Sequence, residues 1–379
     1  MARTSFFATC APGLEPLLHA ELTALRVARV ERQVGGCYFE GDLADARRAN
    51  LWLRMATRVL LRVSRFPCPD EDALYAGAQA IDWSRFLVAD GSLRVDAQAR
   101  DSQLAHTRFV EQRVKDAIVD RFRERTGRRP DVDREAPDLF VHVHLFGDRC
   151  TLSVDTSGQA LHRRGWRRHQ GRAPLAETLA AALVRLSEWD ERAPLLDPFC
   201  GSGTIAIEAA LSALRIAPGL SRTGFAFERW PGHDGRAWER EKVRARDERR
   251  SAGKLRILAS DVDPQRVAQA RANAEAAGVA ELVELEVADA CAFSPRRGWN
   301  AWIVANLPYG ERVGAEADLE VLYPRFGERL REYAAGYHAA LLCPPGRLAR
   351  SLGLVGLRAH TFHNGGLECR LLLGRIEAS

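Results

Sequence analysis

Residues 195–213, LLDPFCGSGTIAIEAALSA, run an apolar strand into a glycine-containing turn and then into an apolar helix. No other stretch restricts the fold as much. Gly201 and Gly203 free the backbone for a tight reversal and a close approach to a ligand. The pattern then repeats. LRILASDVDPQRVAQARANAEAAG again reads strand, acidic turn, helix. VELEVADACAF and WIVANLPYG each read strand then loop, LYPRFGERLREYAAG helix, and YHAALLCPP strand. Such alternation predicts a doubly wound α/β domain with a parallel sheet over residues 174–379. Two strand-like runs flank Asn364-Gly365-Gly366, a hairpin signal that adds an antiparallel edge. Residues 219–254, charged and Trp-containing, read as an insertion.

The first half is patterned differently. SFFATC, CYFEGDL and RVLLRVSRF are strand-like, while GLEPLLHAELTAL and LADARRANLWLRMAT have helical spacing, so residues 1–65 read as a small α+β unit. Residues 66–156 add a helix over DALYAGAQAIDWSRFL, an alternating strand SLRVDAQAR and a long amphipathic helix ending at Gly127. A hairpin across LFVHVHLFGDRCTLSVDTSG closes them. His142 and His144 share one strand face. With no third ligand at suitable spacing they read as solvent- or RNA-facing, and no metal is expected.

The 379 residues are 46% hydrophobic and 28% charged, which suits two or three soluble globular domains. No window approaches 18 uninterrupted apolar residues, so no transmembrane span is expected, and the N-terminus reads as carrying no signal peptide. The eight cysteines form no C-x-x-C pair, which points to reduced, cytoplasmic usage rather than a disulfide or zinc framework. The net charge of +5 lies in residues 1–172, with 28 Lys and Arg against 23 Asp and Glu. That asymmetry hints at a polyanionic partner. Within this half, HRRGWRRHQGR (162–172) reads as a basic linker. Arg163, Arg164, Arg167 and Arg168 offer guanidiniums to RNA phosphates and Trp166 a stacking face.

Three ligands compete for the glycine loop. A Walker A loop needs a Lys that is missing here. A dinucleotide loop matches Gly201-x-Gly203-x-x-Ala206, but Asp197 at the strand end repels a pyrophosphate. S-adenosylmethionine carries a cationic ammonium, which Asp197 suits. Asp261 ends the next strand, where a carboxylate accepts from ribose hydroxyls, and Asp289 ends the third, where it accepts from an adenine amino group. Asp263, before Pro264, reads as a helix cap. Cys200 has no His partner nearby and reads as a small loop residue rather than a nucleophile.

DPFCGSGT, SDVDP and NLPYGER together resemble class I methyltransferases that act on exocyclic amino groups. GLEPLLHAEL, VKDAIVDRFR, DVDREAPD and ALHRRGWR…APLAETLAAALV resemble bacterial RNA guanine-N2 methyltransferases with an N-terminal THUMP domain, those of large-subunit ribosomal RNA above all. The resemblance spans essentially the whole chain. It implies a ferredoxin-like domain at 1–65, a THUMP RNA-binding domain at 66–156, a linker at 157–173 and a class I methyltransferase domain at 174–379. The second methyltransferase half that some bacteria fuse to this one is expected to be absent. It implies S-adenosylmethionine as cofactor, held by Asp197, Pro198, Phe199, Cys200, Gly201, Gly203, Thr204, Asp261, Val262, Asp289 and Ala290, with Pro174 and Thr178 flanking. It further implies that the Asn306 side-chain oxygen and the Leu307 carbonyl accept from a guanine amino group. Pro308 stiffens the loop and Tyr309 stacks on the base. The family pattern is Asn-Pro-Pro-Tyr. Leu307 departs from it, keeping the carbonyl, gaining an N–H and losing one fixed φ. Alternatives are a tRNA guanine-N2 methyltransferase and, in another class, a non-catalytic RNA-binding or ribosome assembly factor. A nicotinamide-dependent oxidoreductase is disfavoured by Asp197.

Overall fold

Alternating burial along Thr4–Cys10 (β1), with Phe6 and Ala8 fully inside, seeds the first of two sheets. The computed structural model describes residues 4–168, 175–309, 316–364 and 367–378. It divides into two units. The first comprises residues up to 10, 18–161 and 223–243; the second comprises 11–17, 162–222 and 244 onward.

After β1 come α1 (Glu15–Ala24), β2 (Ala28–Gln33), β3 (Gly36–Gly41), α2 (Leu43–Trp52) and β4 (Ala56–Pro67). These are followed by α3 (Glu71–Gln79), β5 (Ser92–Arg100), α4 (Thr107–Thr126), β6 (Asp131–Val132), β7 (Leu139–Phe146) and β8 (Arg149–Asp155). The eight strands form one sheet in the order β2-β3-β1-β4-β8-β7-β5-β6. β4 pairs with β1 on one edge and with β8 on the other. A boundary at residue 65/66 therefore falls inside β4, and the two domains expected on either side of it share a sheet. A buried polar network reinforces the join. Asn50 Nδ2 donates to Thr156 Oγ1 (2.7 Å), Ser157 Oγ donates to Asn50 Oδ1 (2.6 Å), and the Val59 N–H donates to Ser157 Oγ (2.8 Å).

The second unit carries α5 (Glu177–Leu186), β9 (Leu195–Asp197) and α6 (Thr204–Ala213). Next in the chain is α7 (Gly235–Asp247), whose start belongs to the first unit. Then come β10 (Ile257–Asp261), α8 (Pro264–Ala276), β11 (Val283–Val287), β12 (Trp302–Asn306), α9 (Glu316–Tyr333) and β13 (His338–Cys343). The chain closes with α10 (Arg347–Ser351), β14 (Arg358–Asn364) and β15 (Leu367–Arg375). The sheet order is β11-β10-β9-β12-β13-β15-β14. The first five strands are parallel and the last two pairings antiparallel, as the sequence pattern predicts. Strand order reverses at β9, and ligands of such sheets bind beyond the carboxyl ends of the strands at that point. Beneath it Ile303, Ala305, Leu307, Tyr323, Phe326 and Leu341 pack as one apolar cluster.

Residues 223–243 do not follow the expected boundary at 174. They fold with the first unit, where the Phe227 N–H donates to the Thr156 carbonyl (3.3 Å) and Trp230 reaches Phe86, while the other rings pack on one another. Phe225 and Phe227 stack (5.4 Å, 9°), Trp238 meets both edge-on (5.6 and 5.1 Å), and Trp230 meets Phe86 edge-on at 5.0 Å. Arg229 pairs with Asp138 at 3.2 Å and donates to the Pro137 carbonyl. Among the described residues no helix is long and apolar enough to cross a membrane, and no three His, Cys, Asp or Glu cluster as metal ligands do.

Candidate active site

Buried Leu195 and Leu196 carry β9 to Asp197, which is 1% exposed. Asp197 Oδ1 accepts from the Phe199 N–H (3.3 Å), while Oδ2 is buried with no hydrogen-bond partner among the described residues. Burial pushes the carboxyl up to about 8; the Phe199 N–H opposes this and the Asp261 charge adds to it. A buried carboxyl with an unused oxygen is a cation site in waiting, because desolvation is offset only by a counter-charge or a donor. The neighbouring Cys200 is buried too. Burial, then Asp197 and Asp261, raise its thiol well above the ordinary value, which removes the thiolate a nucleophile needs.

Asp261 ends β10 and holds the loop from outside. Its Oδ2 accepts from the Gly201 N–H (3.0 Å) and its Oδ1 from the Asp263 N–H (3.0 Å). Carboxylate oxygens have two lone pairs each, so capacity for hydroxyl donors remains. Asp263 caps α8 through the Gln265 N–H (2.8 Å), the role its position before Pro264 suggests. Asp289 follows β11, exposed, with Oδ1 on the Cys291 N–H (2.8 Å). Val262 is 67% exposed, whereas Pro198, Thr204 and Ala290 are buried. Phe199 is half-buried and edge-on to Phe326 at 4.9 Å. The two glycines differ. Both have positive φ, but a Cβ on Gly203 would sit 3.0 Å from Ala270 Cβ, whereas on Gly201 it would meet only Arg266 Nη1 at 3.8 Å. Gly203 therefore serves the packing of α6 on α8, and Gly201 alone keeps the loop open to a ligand.

The basic stretch departs furthest from expectation. Arg164 and Trp166 are each 1% exposed. Arg164 pairs with Glu208 of α6 (3.3 Å), both side chains buried. Arg167 is almost as enclosed. Its Nε donates to Glu177 Oε1 (2.7 Å), its Nη1 to Ser202 Oγ (3.1 Å), and its Nη2 to Thr204 Oγ1 (2.9 Å) and the Leu175 carbonyl (3.0 Å). Arg164 and Trp166 are buried away from the phosphate and stacking roles expected of them, and Arg167 is spent on bracing the glycine loop. Arg163 and Arg168 are exposed. The Arg168 N–H donates to Asn273 Oδ1 (2.8 Å), and Asn273 Nδ2 donates to the Ser202 carbonyl (3.1 Å), a second brace on the loop. Thr178 is buried on the first turn of α5. Pro174, like Gly310, Glu311 and Arg312 of the NLPYGER stretch, lies outside the described residues.

Asn306 ends β12, next to β9 in the sheet. Its Oδ1 is buried and has no hydrogen-bond partner among the described residues. The Leu307 side chain is 1% exposed, and its N–H donates to the Leu342 carbonyl (2.9 Å), one ladder bond more than a Pro allows. The Pro308 carbonyl accepts from the buried Tyr323 hydroxyl (2.9 Å). Burial pushes the Tyr323 phenol far above its usual value, so it stays a donor. Tyr309 is half-buried. Sequence reasoning missed Glu177, Glu208, Asn273 and Tyr323. Glu208 alone left a signal: a lone acid inside the apolar helix IAIEAALSA calls for a buried cation.

This sheet, with an open glycine loop on β9 and an Asn-x-Pro-Tyr loop on β12, is the Rossmann-like fold of class I methyltransferases. Residues 164–372 match the RMKL-like methyltransferase domain, residues 68–155 the THUMP domain and residues 5–60 the RlmL ferredoxin-like domain. The chain belongs to the RMKL-like methyltransferase family. It is 42% identical to the ribosomal RNA large subunit methyltransferase K/L of Syntrophotalea carbinolica and 43% identical to that of Methylococcus capsulatus. These alignments cover 98% and 97% of the chain. The chain spans about half the length of these relatives, 53% and 50%. Among solved structures, SMU.472, described as a methyltransferase and complexed with SAH, superposes with a TM-score of 0.89 at 29% identity. That match covers 100% of this chain and 99% of the other. A Listeria monocytogenes protein described as an N6-adenine-specific DNA methylase gives 0.86 at 33% identity, covering 98% and 96%.

Proposed function

We propose that the chain is an S-adenosylmethionine-dependent RNA methyltransferase that forms N2-methylguanosine, with 23S ribosomal RNA as its substrate. One observation carries this reading. Two buried acceptors without hydrogen-bond partners among the described residues, Asp197 Oδ2 and Asn306 Oδ1, stand at the carboxyl ends of adjacent parallel strands. The first suits a cation and the second suits an amino group. S-adenosylmethionine supplies an electrophilic sulfonium methyl when bound. The protein's own residues do the rest. Asp197 meets the ammonium, Asp261 accepts from the ribose hydroxyls while it fixes Gly201, and Asp289 accepts from the adenine amino group.

Guanine N2 is a weak nucleophile because its lone pair is delocalised into the ring. Asn306 Oδ1 and the Leu307 carbonyl accept its two N–H bonds, which pulls the nitrogen toward tetrahedral geometry and localises the pair. Tyr309 stacks on the extruded base and offsets part of the few kcal/mol that unstacking costs. No strong base is required: once N2 has taken the methyl from the sulfonium, leaving a neutral thioether, the nitrogen is cationic and acidic enough to shed one of its two protons to water. Positioning in a near-attack arrangement contributes roughly 7–11 kcal/mol. Names of the curated relatives and the THUMP match favour ribosomal RNA as the partner.

The test is direct. The chain is incubated with labelled S-adenosylmethionine and separate pools of ribosomal RNA and tRNA from a strain lacking the gene, and the product nucleoside is identified by mass spectrometry. N2-methylguanosine in 23S RNA is expected. Label confined to tRNA would reassign the substrate, N6-methyladenosine would overturn the nucleotide, and no transfer to either pool would leave the fold as an RNA-binding factor.

A further inference from the structure

The eight-stranded sheet has one face that the methyl-transfer site does not use. Side chains alternate between the two faces of a strand. Val143, Leu145, Cys150 and Leu152 are buried in the core, so His144, Phe146, Arg149 and Thr151 stand on the other face. The register carries this row onto the neighbouring strands. Arg65 of β4 is opposite Thr151, and Thr151 is opposite His144. Arg149 is opposite Phe146, and Phe146 is opposite Arg100 of β5. The β4–β8 pairing shifts between Arg62 and Ser64. Strict alternation would turn either Arg62 or Arg65 inward, and the shift puts both on this face.

The charge on this face is largely uncancelled. Arg100 pairs with Asp101 at 3.4 Å. Arg65 and Arg149 are exposed and, among the described residues, pair with no carboxylate. Asp148, beside Arg149 in the turn, pairs with neither. Arg62 is held without an acid. Its Nη2 donates to Gln33 Oε1 (3.3 Å), and its guanidinium lies 5.1 and 5.2 Å from the Phe7 and Tyr38 centroids. Burial lowers the Arg62 pKa below its ordinary value; Tyr38 opposes this and the Arg65 charge adds to it. Burial, then the Arg62 charge, hold His144 below its ordinary value as well. Like charges crowded together disfavour one another, and a polyanion relieves them. Phe146 adds a second element. Its ring is 56% exposed at the tip of the β7–β8 hairpin, between Arg149 and Arg100. An acidic peptide would meet the guanidiniums alone. Single-stranded RNA meets both, because its backbone carries phosphates and its bases offer flat faces for stacking.

We propose that this face docks single-stranded RNA, with two backbone phosphates at Arg65 and Arg149 and one base stacked on Phe146. The proposal rests on the RNA reading above and deepens it, giving the first unit a defined contact surface. It is tested on the full chain with a short mixed-sequence single-stranded RNA carrying fluorescein, by anisotropy at several salt concentrations. Each phosphate contact to a single strand contributes about 0.7 to the slope of log affinity against log salt. Arg65→Ala/Arg149→Ala should therefore weaken binding and flatten the slope by about 1.4. Phe146→Ala should weaken binding at least about fivefold, the lower end of what one stacking contact is worth, and leave the slope unchanged. Arg123→Ala/Arg125→Ala removes the same charge from exposed positions on α4 and should leave the slope as in wild type. All the substituted side chains are exposed, so melting temperature and S-adenosylmethionine affinity should stay at wild-type values. An unchanged slope in the Arg65/Arg149 variant, or an equal flattening in the α4 variant, would overturn the docking face while leaving the methyltransferase reading intact. So would a wild-type chain that binds 23S RNA but not the short strand. A wild-type chain that binds neither RNA would overturn both readings.

Discussion

Asp197 is asked to do two opposed things. The fold buries it, which raises its carboxyl to about 8, and the proposed donor requires it ionised. At pH 7 the ligand-free carboxyl is therefore mostly protonated, and binding a cation must expel that proton. Donor affinity should rise with pH by up to about tenfold per unit below 8. It should fall again as the donor's own ammonium, a group of pKa about 7.7–8.0, loses its proton. Titration calorimetry at pH 6.5 in buffers of different ionisation enthalpy should show close to one proton released; none released would place the cation elsewhere. The same shift runs against stability. The folded pKa lies above the unfolded one, so the contribution is complete below about pH 4 and is lost as pH rises through 8. Asp197→Asn should weaken donor binding yet raise the melting temperature at pH 8.5, with no gain at pH 4. Asn306 predicts a different split. Asn306→Ala removes an acceptor that has no hydrogen-bond partner among the described residues. Transfer should fall at least a hundredfold, on the order of the loss of one transition-state donor or acceptor, with donor affinity unchanged. A collapse of donor binding would move Asn306 into the cofactor site.

At the scale of elements, the glycine loop is held by segments distant in sequence. Arg167 ties it to the first turn of α5, Asn273 ties it to α8, and Asp261 ties it to β10. The acids at the strand ends and the loop itself were legible in the sequence because each depends on a few adjacent residue types. The fate of the Arg-rich stretch was not. HRRGWRRHQGR looks solvated until Glu177 and Glu208, ten and forty-four positions away, claim Arg167 and Arg164. Without residues 162–172 the N-terminal part is electrically balanced, with 23 basic and 23 acidic side chains over 1–161, so all of the apparent polyanion signal came from a stretch whose charges the fold partly consumes. Leu307 is a similar case. Losing the fixed φ of a Pro looked like a loss of stiffness, but the N–H gained in exchange is used by the Leu342 carbonyl on the next strand. The Arg167–Glu177 pair has side chains only 6% and 5% exposed, and removing one partner of such a pair typically costs about 3–5 kcal/mol because a buried charge is left alone. Arg167→Met should destabilise by that order in urea unfolding. Arg167→Met/Glu177→Leu should recover much of the stability but not the donor affinity, since Ser202 and Thr204 lose their brace in both. Full recovery of donor affinity in the double variant would reduce Arg167 to a packing residue.

For the whole molecule, chain order and fold order disagree in one place. Residues 223–243 lie inside the stretch that matches the methyltransferase domain, yet they fold with the first unit. No local pattern announces this, because the partners of Phe227, Arg229 and Trp230 are Thr156, Asp138 and Phe86, reached only once β8 and the turn after α3 exist. The consequence is physical. Phe227 and Trp230 are 4% and 6% exposed, and aromatic side chains of this kind bury about 150–250 Å2 each. At about 25 cal/mol per Å2, the pair contributes on the order of 8–12 kcal/mol as an upper bound, comparable to the stability of a typical domain. A fragment of residues 1–161 should therefore bind a hydrophobic dye and be cleaved by protease within α2 and around Phe86. Adding a synthetic peptide of residues 221–245 should suppress both, and a peptide with Phe227→Ser and Trp230→Ser should not. A 1–161 fragment that melts cooperatively, binds no dye and ignores the peptide would show that the N-terminal sheet stands alone, with the aromatic segment resting on it rather than completing it.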